Sequence, residues 1–519
     1  MTVLNRRLGR RTVLGSAALG LGGAVGLPLG LAACGGPGLV RAERPVLTHG
    51  VQSGDVVGGS GVVWTRADRP SRMVVEAADN PEFRDARRMP GPMLTPDTDF
   101  TGKLRVSGGG VVHYRVTAED PDGRVASEPV AGSFRTGPAP DGSARFVWSG
   151  DIVGQGWGIN PDIGGMKIFA AMAARDPDFF LCSGDTVYAD GPLKEAVTLP
   201  DGRPWRNLVT PEKSKVAETL AEFRGQFAYN LLDQNFRAFT AKVPQINQWD
   251  DHEVLNNWYP GEVLTDDRYT ERRVDVLAGR AFQAFHEWVP LDPRQAVDGR
   301  VYRRFAWGPH LEVFVIDMRS YRDANGANTG AGGHILGPQQ AAWLADSLAS
   351  SRATWKVVAS DMPIGVLVKD GKTAWEAVAN GTPGVASGRE AEIAGLLRSI
   401  KERGVRNVLW LTADVHYTAA HRYDPGRAAA AGGFADFDEF WEFVSGPLQA
   451  GTGVAGELDP TFGPEAVYVR AAPSDDRSSP LHGFQHFGEV QVAPGGRQLT
   501  VTLRGPAGEQ LWATTLDAR

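Results

Sequence analysis

The chain has 519 residues, long enough for two or three domains, and 42% apolar content with fourteen tryptophans supplies large cores. Its formal net charge is −7, and the first 33 residues carry four arginines and no acid, so the remainder is more acidic still. This balance, with no long charge run, excludes a disordered chain and a phosphate-tracking nucleic-acid binder, which needs a basic stripe. Small anionic substrates stay open, because a metal or a local arginine overrides the mean field.

At the amino terminus "GRRTVLG" (Gly9–Gly15) sets paired arginines before a Gly/Ala-rich apolar stretch that runs to Ala33 and contains Pro28. No stop-transfer pattern follows, which predicts a cleaved signal over residues 1–34 rather than a membrane span. The arginine pair resembles a twin-arginine signal, which exports folded proteins. "LAAC" (Leu31–Cys34) resembles a lipoprotein cleavage box with Cys34 lipidated; an ordinary signal cut slightly later is the alternative. Only Cys182 would share the mature chain, so no intrachain disulfide is expected.

Residues 45–138 show short apolar alternations between turn signals: "GVVWTRA" (Gly61–Ala67), "RMVVEAA" (Arg72–Ala78), "GKLRVSG" (Gly102–Gly108) and "VHYRVTAED" (Val112–Asp120). They predict a small β-sandwich of immunoglobulin or fibronectin type. "TGPAPDGSA" (Thr136–Ala144) reads as a linker. Over residues 143–519 the rhythm becomes that of an α/β layered domain. "ARFVWSGD", the helical "GGMKIFAAMAARD" and "PDFFLCSGD" make a βαβ unit. "LEVFVIDMR" (Leu311–Arg319), "WKVVASDMP" (Trp355–Pro363) and "VRNVLWLTADVH" (Val405–His416) are further strands. "PQQAAWLADSLASS" and "GREAEIAGLLRSIKERG" are helices between them.

The predicted strands end in acids, on the edge where open α/β sheets bind ligands. The candidates are Asp151; Asp185 with Tyr188; Asp251 with His252; Asp361; and Asp414 with His416. One such aspartate often only caps the next helix, but five ends of this composition predict an oxygen-rich cation site suited to iron, zinc, manganese, magnesium or calcium. In "WDDHEVLNNW" (Trp249–Trp258) the tryptophans are expected to anchor a ligand loop. His49, His113, His286, His310 and His334 read as structural, and Cys182 as a buried thiol. His421 is a candidate to support the ligands, and His482 and His486 stand four apart in a strand-like late segment. "GKT" (Gly371–Thr373) lacks a correctly spaced P-loop glycine. Gly191–Lys215 and Asn325–Gly333 look like insertions able to roof a pocket.

"SGD…GDTVY…WDDHEVLNNW…ADVH" resembles the binuclear metallophosphoesterase superfamily, and within it the alkaline phosphatase D (PhoD-like) family. "GVQSGDVVGGSGVVWTR", "FVIDMRSYRD", "ILGPQQAAWL" and "EFVSG" extend the likeness over nearly the whole mature chain. Asp151 stands where that family has cysteine, as in purple acid phosphatases, and Asp414 stands where those have histidine. The resemblance implies a four-layer α+β sandwich for the catalytic domain. It implies that Asp151, Asp185, Tyr188 and His416 surround one metal, Fe3+ on account of the Tyr188 phenolate. Asp185 would bridge to a second metal held by Asp251 and Asp414, with Asp361 a further candidate; that ion would be Ca2+ or another divalent cation such as Zn2+ or Mn2+. His252 would assist the leaving group, Asn257 (or Asn256) would bind phosphoryl oxygens, and Arg319 would grip phosphate unless it pairs with Asp317.

The expected activity is hydrolysis of phosphomonoesters and phosphodiesters by a metal-bridging hydroxide, for phosphate scavenging in the periplasm or cell envelope. Expected partners are small phosphate esters and the twin-arginine export machinery. No stable nucleic-acid binding is expected, and membrane contact only through a lipid on Cys34. Alternatives are a phospholipase D-like phosphodiesterase, a noncatalytic envelope binding protein and a metal-dependent hydrolase of non-phosphate bonds.

Overall fold

The computed structural model describes residues 44–474 and 478–519; the expected signal over 1–34 and Cys34 lie outside them. The first seven strands are β1 (Leu47–Val57), β2 (Ser60–Ala67), β3 (Ser71–Ala78), β4 (Arg87–Leu94), β5 (Thr101–Ser107), β6 (Val111–Glu119) and β7 (Val130–Arg135). One layer is the sheet β4-β3-β6-β7, and β1, β2 and β5 form the other. The expected sandwich is therefore present, but not as a free-standing domain.

Next in the chain come β8 (Ala144–Ser149), α1 (Ile168–Ala173), β9 (Phe179–Ser183), the hairpin β10 (Ala196–Thr198) with β11 (Pro204–Arg206), α2 (Leu220–Asn230), α3 (Gln234–Thr240), β12 (Gln245–Gln248) and α4 (Val274–Trp288). β8, β9 and β12 pair in parallel, and Gly54 of β1 bridges to Gln245 of β12. That bridge joins the amino-terminal layer to the β8-β9-β12 sheet, and a buried ion pair ties β1 to a later segment of the chain: Arg303 Nη2 lies 2.8 Å from Asp55 Oδ1, both side chains 1% exposed. Alternation within β1 does not reveal that its free edge is taken by a strand almost two hundred residues away, which is why residues 45–138 read as separate.

The second half contributes β13 (Arg303–Trp307), β14 (Leu311–Val315), α5 (Pro338–Ser350), β15 (Trp355–Ala359), the hairpin β16 (Lys369–Asp370) with β17 (Ala374–Trp375), α6 (Arg389–Glu402), β18 (Val408–Thr412), β19 (Thr418–Tyr423), α7 (Pro425–Ala430), β20 (Phe440–Val444), β21 (Pro464–Arg470), β22 (Phe487–Val492), β23 (Gln498–Arg504) and β24 (Gln510–Asp517). The two large sheets run β24-β23-β22-β8-β9-β12-β1-β2-β5 and β13-β14-β15-β18-β20-β19-β21.

Their stacking follows from the period of two in a strand. Phe146 and Trp148 of β8 face a core shared with Val313, Val315, Val357, Ala359, Leu409 and Leu411 of the second sheet. Val147, Phe180 and Cys182 face outward into a core with α1 to α4. Phe314, Val358 and Trp410 face outward toward α5 and α6. Strands buried on both faces read as continuous apolar runs, as β8, β9, β14 and β18 do. The result is the expected α/β/β/α sandwich, with the carboxyl ends of β8, β9, β12, β15 and β18 converging. Truncating a fully buried anchor such as Trp148 would cost about 3–5 kcal/mol. Among the described residues no helix is long and apolar enough to cross a membrane.

Candidate metal centre

Backbone bonds between strand tips set the site. Ile152 N–H donates to Asp185 O (2.9 Å), Ala413 N–H to Asp361 O (2.9 Å), Ala189 N–H to His252 O (2.8 Å) and Gly453 N–H to His416 O (2.8 Å). The tips after β8, β9 and β18, and the loop after β12, turn through left-handed backbone: φ is 57° at Asp151, 47° at Asp185, 66° at Asp414, 59° at His416 and 59° at Asn257. Asp, Asn and His tolerate this region better than other side chains, and such strain gathers at functional sites. Glu253 staples two tips together, accepting from Thr186 N–H (2.7 Å) and Asp250 N–H (2.8 Å). Trp249 and Trp258 anchor the loop between them as expected, both buried with ring centroids 5.7 Å apart.

Among the described residues, three groups bring potential ligand atoms within 4.8 Å of one another: Asp151, Asp185 and His416; Asp185, Asp251 and His252; Asp250, Asp251 and Asp414. Asp185 and Asp251 each belong to two groups, so the three are continuous. Tyr188 joins the first, its hydroxyl 2.8 Å from His416 Nε2 and 3.5 Å from Asp151 Oδ1. His416 Nδ1 bonds to Gly451 O, which leaves Nε2 facing the acids. Glycines permit the crowding: a Cβ at Gly446 would strike Asp151 Oδ2, and one at Gly154 would strike the Tyr188 ring.

The electrostatics are those of a cluster short of positive charge. Burial first, and then neighbouring carboxylates, push Asp151, Asp185 and Asp414 well above the usual carboxylate range. Burial also raises Asp250, against the pull of Arg319. Tyr188 is raised by burial and by Asp185 and Asp151. Burial opposes ionisation of Asp251 as well, but His252 and Arg319 hold it below its ordinary value. Burial opposes protonation of His252, yet Asp190 and Asp251 raise it to about 9. Asp151 Oδ2, Asp250 Oδ2 and Asp251 Oδ1 are buried with no hydrogen-bond donor. Orphaned anionic oxygens of this kind are what bound cations satisfy.

A cleft of about 600 Å³ opens onto Asp185, Asp251, His252, Asp414 and His416, with Asn256 and Asn257 on its wall. His252 Nδ1 sits 2.7 Å from Asp190 Oδ1, and Asn257 N–H donates to Asp251 Oδ2 at 2.5 Å.

Two expected site residues lie elsewhere. Arg319 does not reach the cleft: it is 0% exposed, with its guanidinium 2.6 Å from Asp250 Oδ1, bonded to Glu376 and 3.7 Å from Asp414 Oδ1. The pairing with Asp317 is absent too; that side chain accepts the Arg319 and Ser320 backbone N–H groups. Asp361 is buried behind Asp250, 3.6 Å from Arg319 Nε, and belongs to none of the three groups. The cleft is roofed by Val366, Leu367, Val368, Lys369, Trp375, Glu376, Gly381, Gly453, Val454, Gly456 and Glu457, with no residue from 191–215 or 325–333. The first of those insertions forms the β10–β11 hairpin instead, with Trp205 and Leu199 packed on Trp157.

Asp250, Asp190 and Glu376 are functional candidates that the sequence reading passed over. Asp250 sits beside the chosen Asp251 in "WDDHEV", and spacing alone does not say which of two adjacent acids faces which group. His421 bonds Glu442 on the neighbouring strand (3.1 Å) rather than supporting a ligand. His486 is buried one residue before β22, with Nδ1 3.1 Å from Gly446 O, directly behind Asp151. Cys182 is the expected buried thiol.

Comparison with known proteins agrees with this geometry. Residues 146–503 match the family model described as PhoD-like phosphatase, and residues 34–138 match PhoD-like phosphatase, N-terminal domain. Alkaline phosphatase D of Bacillus subtilis (strain 168) is 27% identical over 434 residues, which span 76% of this chain and 70% of that protein. A solved structure described as "Structure of PhoD" shares the fold, with a TM-score of 0.67 at 23% identity over 91% of this chain and 89% of that one.

Proposed function

Because the chain belongs to the PhoD-like phosphatase family and is a phosphoric ester hydrolase, we propose that its cleft holds at least two cations and hydrolyses phosphate mono- and diesters outside the cytoplasm, releasing phosphate for uptake. The observation that carries this reading is the sharing of Asp185 and Asp251 among neighbouring ligand groups, the arrangement a bridged metal pair requires. The donor set fits: Asp151, Asp185, Tyr188 and His416 would hold one ion, and Asp185, Asp250, Asp251 and Asp414 the other. Tyr188 adds a phenol oxygen to the first group, and a phenolate donor favours Fe3+ on that side. The carboxylate-rich second group suits Ca2+, Zn2+ or Mn2+. The paired arginines and Cys34 support export by the twin-arginine route and a lipid anchor.

When bound, the cations supply an acidified water as nucleophile and positive charge for the phosphoryl oxygens. The chain does the rest. Asp190 fixes the His252 ring through Nδ1 and keeps it protonated, so that Nε2 can hand a proton to the departing ester oxygen. Tyr188 stacks on that ring, centroids 4.2 Å apart, and shields it from water. Asn257 lines the cleft beside Asp251, but its side-chain amide donates to Asp370 Oδ1 (3.3 Å) instead of standing free for a phosphoryl group. Arg319 holds Asp250 in place from behind. Turnover of a chromogenic aryl phosphodiester tests the reading: chelation should abolish it and readdition of metal restore it, whereas chelator-resistant hydrolysis would refute it.

A further inference from the structure

The cleft that exposes the acid cluster is itself acidic: besides Asp185, Asp251 and Asp414 its wall includes Glu376 and Glu457. Among the lining residues Lys369 is the one lysine or arginine. It lies on the β16–β17 roof hairpin, exposed, and its ammonium makes no ion pair within 4 Å among the described residues. Its Nζ is 5.8 Å from the centroid of the Trp375 ring, a cation–π contact that keeps the charge beside the cleft.

The hairpin is held firmly. Trp375 N–H donates to Gly326 O (2.8 Å), Glu376 N–H to Val368 O (3.0 Å) and Leu367 N–H to Glu457 O (2.9 Å). Asp370, the residue after Lys369, accepts from Asn325 Nδ2 at 2.9 Å and from Asn257 Nδ2 at 3.3 Å. The second bond ties the hairpin to the loop that carries Asp251 and His252. Lys369 is thereby fixed at the mouth, on the same loop system as the group that protonates the leaving oxygen. Arg319 is walled off behind Asp250 and cannot serve this purpose.

Resting on the phosphoesterase reading, we propose that Lys369, steadied by Trp375, is a specificity residue that binds a second anionic group, carboxylate or phosphate, on the departing half of the ester. An exposed ion pair of this kind is worth up to about 1 kcal/mol, which corresponds to about fivefold in selectivity.

The test compares two aryl phosphodiesters that differ only in whether the leaving aryl group bears a carboxylate, with a third bearing a phosphonate to separate the two anions. The wild-type chain should favour the anionic esters by up to about fivefold in kcat/KM, through KM. Lys369→Ala should bring the ratio toward one, Lys369→Arg should retain it, and Lys369→Glu should invert it. Trp375→Leu should weaken the preference without inverting it. An unchanged ratio in Lys369→Ala, or a wild-type chain indifferent to the added charge, would overturn the proposal. Failure of the wild-type chain to turn over any of the three esters would instead overturn the phosphoesterase reading.

Discussion

The imidazole of His252 lies against the phenol ring of Tyr188, centroids 4.2 Å apart and planes 28° from parallel, while its Nδ1 is 2.7 Å from Asp190 Oδ1. A ring fixed on one face and at one nitrogen presents the other nitrogen in a single direction. That direction is the cleft.

Asp190→Asn removes the carboxylate that holds the His252 proton. Burial would then be opposed only by Asp251 and Asp250, so the protonated form is lost at lower pH than the present value of about 9. Activity requiring that proton falls as pH rises through the histidine value, so the alkaline limb of the kcat profile should move to lower pH, with kcat down roughly 10- to 100-fold at pH 8. An unmoved alkaline limb would show that His252 does not supply the proton.

Tyr188→Phe deletes the phenol oxygen beside His416 and Asp151. The purified wild-type chain should show a visible absorption band from an Fe3+–phenolate contact, and the variant should lack it. A colourless, iron-free wild-type preparation would rule out iron at this position.

Arg319→Met should act as a folding lesion. It strips the counter-charge from the buried carboxylates Asp250 and Glu376; breaking one side of a buried pair costs about 3–5 kcal/mol. A lower unfolding midpoint is therefore expected, with Arg319→Lys intermediate because lysine keeps the charge but not the planar fork. A raised KM with an unshifted midpoint would instead restore the phosphate-gripping role expected from sequence.

Two histidines, His486 fully buried and His286 partly buried, make stability depend on pH. Burial lowers His286 to about 4 and His486 to about 3, below the ordinary 6.5. The unfolded chain therefore binds protons first: their stabilising contribution is complete above pH 6.5 and is lost as pH falls, by about 1.4 kcal/mol per histidine per pH unit. Burial-raised carboxylates act in the opposite sense, so the informative quantity is a difference. Between pH 7 and pH 5 His286→Phe should lose less stability than the wild-type chain; equal losses would contradict this assignment.

Much of the fold was legible because doubly buried strands leave continuous apolar runs, and β8, β9, β14, β15 and β18 are such runs, each followed within a few residues by an acid. The left-handed turns that aim Asp151, Asp185 and Asp414 occur at residue types that tolerate them, so the chemical pattern survives in one dimension. Burial and partnership do not. A guanidinium suits phosphate and carboxylate equally, and only the fold shows that Arg319 is spent on Asp250 and Glu376. The roof was misjudged for a related reason: glycine-rich Asn325–Gly333 looks like a lid, whereas the segment over the cleft is built on a hairpin of two-residue strands, too short to leave a periodic signal.

The central claim is that acids from separate strand tips jointly hold at least two cations, with Asp185 between them. Elemental analysis of the purified chain beside its Asp185→Asn variant tests it most directly. The expected result is two or more metal equivalents per chain in the wild type and the loss of at least one in the variant, with most of the activity gone. One equivalent or fewer in the wild type, or an unchanged metal content in Asp185→Asn, would contradict it.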